Sequence, residues 1–166
     1  LTNGRIAMNL VTSTRRTDAA NFGFDQLMEH GARYERMEEF VAVCRQLWDA
    51  TEADAMVWDR DSGGVGDPTT AHDVHHAGRF FKVEGPLNTP PTPQGRPVIV
   101  QAGGSPRGVQ ASARIADHVF GGDMPIEVQV KQRAALDAAL RTEGRDPDSV
   151  GVLWQTPIAV RETDRE

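Results

Sequence analysis

The stretch RPVIVQAGGSPRG, residues 96–108, decides how this chain is expected to fold. Residues 97–102, PVIVQA, are apolar without alternation, which is the pattern of a strand covered on both faces. The run then stops at Gly103, Gly104, Ser105 and Pro106, and an Ala-rich helix is expected over 106–116. A buried strand feeding directly into a helix is the unit of a parallel α/β sheet. Small residues at that junction leave the backbone approachable. The free N–H groups and positive end of the new helix favour an anion such as phosphate. Ser105 adds a hydroxyl donor, and Arg107 adds a charge. A plainer reading stands beside this one: a tight turn in which Ser105 is an ordinary helix N-cap. The GGS triplet is neither a Walker A sequence nor GxGxxG, so spacing alone leaves both readings open.

The same unit repeats on either side. Residues 5–12, RIAMNLVT, read as a buried strand, and 14–33 as loop with short helical turns. A helix is expected over 33–50, where Met37, Phe40, Val41, Cys44, Leu47 and Trp48 make one apolar stripe at i, i+3, i+4, i+7 spacing. Glu35, Glu38, Glu39 and Arg45 lie largely off it. Downstream, 117–121 reads as a strand and 125–143 as a helix, with Pro125 in its first turn and Gly144 as its stop. Residues 150–160, VGVLWQTPIAV, read as a fourth strand. Residues 51–95 break the rhythm with Gly63–Gly64, Asp67–Pro68 and three prolines at 90, 91 and 93, plus one hairpin expected around 78–83. An irregular excursion this long is usually functional or disordered. Strands alternating with helices fit a doubly wound sheet or a (β/α) barrel, and four strands are half of an eight-stranded barrel. The chain opens at Leu1 without a Met and closes directly behind an apolar run, so a piece of a longer protein is the expectation.

Composition narrows the function classes. The chain has 166 residues and a formal net charge of -6, which argues against nucleic acid or an anionic membrane as the main partner. No apolar run approaches the roughly 20 residues of a membrane span. The single cysteine, Cys44, rules out an internal disulfide and fits a reducing cytoplasm, where the protein is expected to reside. In parallel α/β folds ligands bind at the C-terminal ends of the strands. Asn9 and Thr12–Ser13 fall at such an end, and an amide inside an apolar run must find partners. The group Ala71-His72-Asp73-Val74-His75-His76 has one i, i+4 histidine pair, but lacks the Glu of HExxH and is flanked by Asp67–Pro68 and Gly78. Solvated or packing histidines are expected there, and no metal. Cys44 reads as a packed thiol, and Trp48, Trp58 and Trp154 as core or loop anchors.

Taken in order, NLVTS (9–13), AANFG (19–23), RYE (33–35), EF (39–40), LWD (47–49), GPLN (85–88), PQGRPVIVQAGGS (93–105) and DHVF (117–120) resemble the bacterial-luciferase-like flavin monooxygenases. The nearest subgroup is that of nitrilotriacetate monooxygenase component A. The resemblance implies a (β/α)8 TIM barrel of which residues 1–166 form one partial domain, about strands 4 to 7, with 51–95 as an insertion beside the substrate cavity. It implies reduced FMN (FMNH2) as cofactor, delivered by a separate NAD(P)H:FMN reductase. One oxygen atom of O2 would enter a small organic substrate through a flavin C4a-peroxide. By position, Asn9, Val11, Thr12 and Ser13 would lie along the isoalloxazine and ribityl side. Tyr34 would reach the phosphate, and Gly104 and Ser105 would bind it. Met8 departs from the family's usual Trp. A half-barrel would expose sheet edges and a core face, so association with further copies is expected. The other reading the resemblance leaves open is a flavin- or F420-binding module, or a hydride-transferring relative, inert as this chain alone.

Overall fold

The computed structural model describes residues 2–158 and 160, so the tail 161–166 lies outside the described residues. Contacts divide the chain into two units, 1–99 and 100–166. No helix among the described residues is long and apolar enough to cross a membrane.

The first unit begins with β1 (Ala7–Leu10) and a short helix α1 (Arg16–Ala20). The strand is shorter than the apolar run, and it is half-exposed rather than buried. Ala7 and Asn9 face outward, while Met8 and Leu10 are half-buried. Asn9 is therefore exposed rather than buried. The pattern is that of a strand covered on one face only, whereas an unbroken apolar run suggests two covered faces. A glutamine clips the strand's start. Gln94 Oε1 accepts the Ile6 N–H at 3.0 Å, and its Nε2 donates to the Ile6 carbonyl at 2.9 Å.

Helix α2 (His30–Asp49) starts three residues before the expected position because Glu29 caps it, its carboxylate accepting the Ala32 N–H at 2.9 Å. Its buried face is Tyr34, Met37, Val41 and Val43. Phe40, placed on the stripe by spacing, is exposed, because it turns toward a cavity. The 51–95 excursion contains two antiparallel ribbons. β2 (Met56–Asp59) pairs with β3 (Gly64–Gly66), and β4 (His76–Ala77) pairs with β5 (Lys82–Val83). The second is the expected hairpin. The first was hidden because its turn residues resemble loop: Asp59 accepts from the Ser62 hydroxyl at 2.5 Å and from the Asp61 N–H at 3.0 Å. A 3-10 turn, Pro68–Thr70, lies between the ribbons.

The second unit continues β6 (Val98–Ala102), which leads through α3 (Pro106–Ile115) to β7 (His118–Gly121), and through α4 (Ile126–Thr142) to β8 (Gly151–Trp154). β6, β7 and β8 pair in parallel, with Val100 opposite His118 and Val119 opposite Val152. This is the α/β parallel sheet that the strand–helix rhythm implies. Ala113, Leu136, Leu140 and Val150 form its apolar core, with Val109, Val119, Ala139 and Val152 against it. One buried polar pair is satisfied internally: Ser112 donates to Gln101 Oε1, and Gln101 Nε2 donates to the Ala102 carbonyl.

Two ends differ from the sequence reading. Pro125 is the N-cap of α4 rather than a residue of its first turn. The fourth strand stops at Trp154, and 155–158 are irregular. Gly144 does end α4. Its φ of +70° puts it in the left-handed region, its N–H reaches the Arg141 carbonyl at 3.1 Å, and the Arg145 N–H reaches Leu140 at 2.8 Å. These two bonds make a Schellman stop.

Candidate functional site

The residues following β1 open onto the larger cavity. Leu10, Val11, Thr12 and Ser13 all line it, and its volume is about 860 Å³. Such a volume is at the upper end for small-molecule and cofactor sites. The walls are mostly apolar, with Phe22, Phe24, Met37, Phe40 and Phe81 prominent. Val11 is 60% exposed and Phe22 82%. Ser13 holds φ at +59°, a left-handed conformation rare for a residue with a side chain, and it sits at the cavity edge. Of the residues expected at the flavin ring, Val11, Thr12 and Ser13 come together here. Asn9 does not line this cavity, and neither does Tyr34, which is 4% exposed and packs edge-on against His30 with centroids 5.1 Å apart.

Arg33 and Arg36 also line the cavity, beside the carboxylates of Asp18 and Glu29. Both acids are engaged by backbone at helix starts. Asp18 accepts the Arg15 N–H at 3.2 Å, and Glu29 accepts the Ala32 N–H. The N–H groups of Gly31 and Ala32 hold the Glu29 carboxyl below its ordinary pKa.

One wall of the cavity is held in place by a glutamate. Glu39 on α2 accepts the Phe81 N–H at 2.9 Å and the Phe80 N–H at 3.0 Å, and its Oε1 lies 3.1 Å from His76 Nε2. Its side chain is 15% exposed. Burial alone would raise its pKa, but the His76, Phe81 and Phe80 hydrogen bonds outweigh burial and leave it below the ordinary value. The β4–β5 hairpin is thereby fastened to the helix. Phe81 then packs on Phe40 with centroids 6.0 Å apart, and the Arg36 guanidinium lies 5.5 Å above its ring. Glu35 and Arg79 form an ion pair over the same hairpin. Sequence reading left Glu39 off the apolar stripe. The one local signal for it is Gly78, where an added Cβ would come within 2.1 Å of Glu39 Oε1.

In the second unit, Ser105 is the N-cap of α3, and its Oγ accepts the Gly108 N–H at 3.1 Å. The plain capping reading is therefore realised, and the hydroxyl proton is still available to donate. At Gly104 an added Cβ would be in ordinary contact with Gln132 Nε2, at 3.7 Å, and with nothing closer. Gly103 and Gly104 border a second cavity of about 290 Å³ at the C-terminal ends of β6, β7 and β8. Trp154 lies over Gly121 and lines this cavity.

The remaining candidates resolve simply. Residues 71–75 are not helical, so the i, i+4 spacing of His72 and His76 carries no shared face. His76 belongs to Glu39. His75 pairs with Glu84 at 2.8 Å and approaches Asp73 at 3.8 Å, and all three are exposed. Cys44 is half-buried, and burial pushes its thiol pKa up, away from nucleophilic thiolate. Trp58 is 63% exposed at the end of a ribbon and anchors nothing in the core.

The family model described as luciferase-like monooxygenase matches residues 1–166. The dibenzothiophene-sulfone monooxygenase of Rhodococcus erythropolis is 41% identical over 153 residues, covering 92% of this chain and 34% of that protein. The nitrilotriacetate monooxygenase component A of Aminobacter aminovorans is 40% identical over 166 residues, covering 100% of this chain and 37% of that protein. Among solved structures, a riboflavin lyase with modified FMN and riboflavin superposes with a TM-score of 0.83 at 37% identity, over 91% of this chain and 34% of that one. The chain spans about a third of the length of the curated relatives it matches.

Proposed function

The chain belongs to the luciferase-like monooxygenase family, and from that premise we propose that its parent protein is the oxygenase component of a two-component FMNH2-dependent monooxygenase. Residues 1–166 then form one partial (β/α)8 barrel domain, about strands 4 to 7, with 51–95 as its insertion. The partner is an NAD(P)H:FMN reductase, and the substrates are O2 and a small organic molecule. Reduced FMN, when bound, supplies the reaction with O2 that places one oxygen atom on the substrate.

The observation that carries this reading is the convergence of Val11, Thr12 and Ser13, just past the end of β1, on a large apolar cavity. That is where α/β folds bind ligands. The residues present fit a flavin. A cavity of about 860 Å³ has room for a tricyclic ring. Gly104 and Ser105 are proposed to hold the phosphate: an added Cβ at Gly104 would meet only Gln132 Nε2, at 3.7 Å, and α3 presents its positive end behind Ser105. Asn9 and Tyr34 are proposed as flavin contacts on family resemblance alone. This chain's own work would be to orient the flavin and exclude water through the Phe22, Phe40 and Phe81 walls. No acid or base is demanded of it, because the hard chemistry is the cofactor's.

Anaerobic titration with reduced FMN, read by flavin fluorescence with reduced F420 in parallel, tests the reading. Saturable binding of reduced FMN to the full-length parent is expected. Binding of reduced F420 alone, or of neither, overturns it. Ser105→Ala is expected to weaken reduced-FMN binding by about 1–2 kcal/mol, the scale of a lost hydrogen bond to a charged group. The same change also removes the α3 cap, at about 1 kcal/mol of stability. Ser105→Asn keeps the cap without the hydroxyl, so affinity and melting temperature separate the two effects. Unchanged affinity in both variants removes Ser105 from the site.

A further inference from the structure

Two arginines on the wall of the large cavity, Arg33 and Arg36, are not used by flavin-ring binding. Arg79, Arg96 and Arg114 each pair with a carboxylate, and Arg133 pairs with Asp137. Among the described residues, no carboxylate pairs with Arg33 or Arg36, although the chain carries an excess of acids. Arg33 Nε is buried without a hydrogen-bond partner. Arg36 rests on the Phe81 ring, which the Glu39-fastened hairpin holds in place. The two acids that share the cavity wall are turned to backbone N–H groups at Arg15 and Ala32. A buried guanidinium N–H such as Arg33 Nε is costly to leave unpaired unless an anion meets it, while Arg36 stands exposed at the same wall. Its planar fork suits carboxylate, sulfonate or phosphate oxygens.

We infer that this cavity selects apolar substrates that carry one anionic group, with Arg33 and Arg36 receiving that group and the Phe22, Phe40 and Phe81 walls receiving the apolar body. The inference rests on the proposed function, in that the cavity is taken to be the substrate's. It also meets a rival source of the same chemistry, the phosphate of FMN.

Calorimetry on the full-length parent decides between them, using naphthalene-2-sulfonate and the neutral naphthalene-2-sulfonamide as probes. The sulfonate should bind about tenfold tighter, the scale of one charge-assisted hydrogen bond. Arg36→Gln should reduce that preference to under about twofold, and Arg36→Lys should restore part of it, because charge returns without the fork. Equal affinity of the wild-type protein for the two probes overturns the inference, as does a preference that Arg36→Gln and Arg33→Gln both leave intact. Reduced FMN and reduced riboflavin form the second arm. If either substitution weakens FMN binding and spares riboflavin, the guanidinium groups hold the flavin phosphate, and the inference fails. If the wild-type protein keeps its sulfonate preference but binds no reduced FMN, the proposed function fails while the anion-selective cavity stands.

Discussion

Leu140→Ala is expected to destabilise the second unit by about 3 kcal/mol, within the range for emptying a fully buried leucine site. Leu140 is 0% exposed, and it sits in a cluster of Ala113, Leu136 and Val150 at the junction of α3, α4 and the start of β8. Ala113 is already small, so little side-chain volume can move into the gap. The backbone stop of α4 is unaffected, because it is the Leu140 carbonyl, not its side chain, that receives the Arg145 N–H. Native-state amide exchange at Val119 and Val152 should accelerate by roughly a hundredfold, the equivalent of that free energy. Val130→Ala, on the same helix at 61% exposure, should change it by less than about 0.5 kcal/mol. Similar effects for the two substitutions would mean that the packing of α4 is not what stabilises this sheet.

The parts of the chain that could be read in advance are those whose environment is written locally. The second unit is one such part. Its apolar runs are short and punctuated by Gly, Pro and Ser, and the central run is buried, so 97–102 became Val98–Ala102 and 106–116 became Pro106–Ile115. Where one face is uncovered, the same signal misleads. Residues 5–12 look buried but deliver a four-residue strand that alternates in exposure. The candidate site divides in the same way. Val11–Ser13 and Gly103–Ser105 could be found because strand ends and helix starts leave sequence marks. Arg33, Arg36 and Glu39 could not, because charges at i, i+3 spacing on a helix ordinarily read as a solvated face. What gives them a role is Phe80 and Phe81, some forty residues later, in a segment whose own signals are only turn residues. A part-buried carboxylate facing backbone N–H groups is a long-range fact, and pattern reading sees only short range.

That long-range contact makes the second large prediction. Glu39→Ala should release the β4–β5 hairpin from α2. The Phe80 and Phe81 N–H groups lose their acceptor, His76 loses its partner, and part-buried donors left unmade are costly. Amide exchange at Phe80 and Phe81 should rise by at least about tenfold, while the β6–β8 amides keep their protection. Gly78→Ala should do the same without removing the charge. Its backbone conformation permits alanine, but the new Cβ would lie 2.1 Å from Glu39 Oε1 and 2.6 Å from His76 Nε2. Because both changes break one contact, the double variant should be little worse than either single one, and additive effects would show the contact to be two separate things. Acid should mimic the substitution. The folded carboxyl sits below its ordinary value of 4.5, so the stabilisation is fully present above that value. It is lost as pH falls through the folded pKa. The facing groups are His76, Arg79 and Arg36, together with Glu35, which pairs with Arg79. Glu39→Gln should therefore abolish the acid-dependent rise in Phe80 and Phe81 exchange, and its persistence in that variant would assign the step to another group. Because Phe81 is both the latch's donor and the cavity's wall, the pH at which the latch opens is also the pH at which the Arg36 platform loosens.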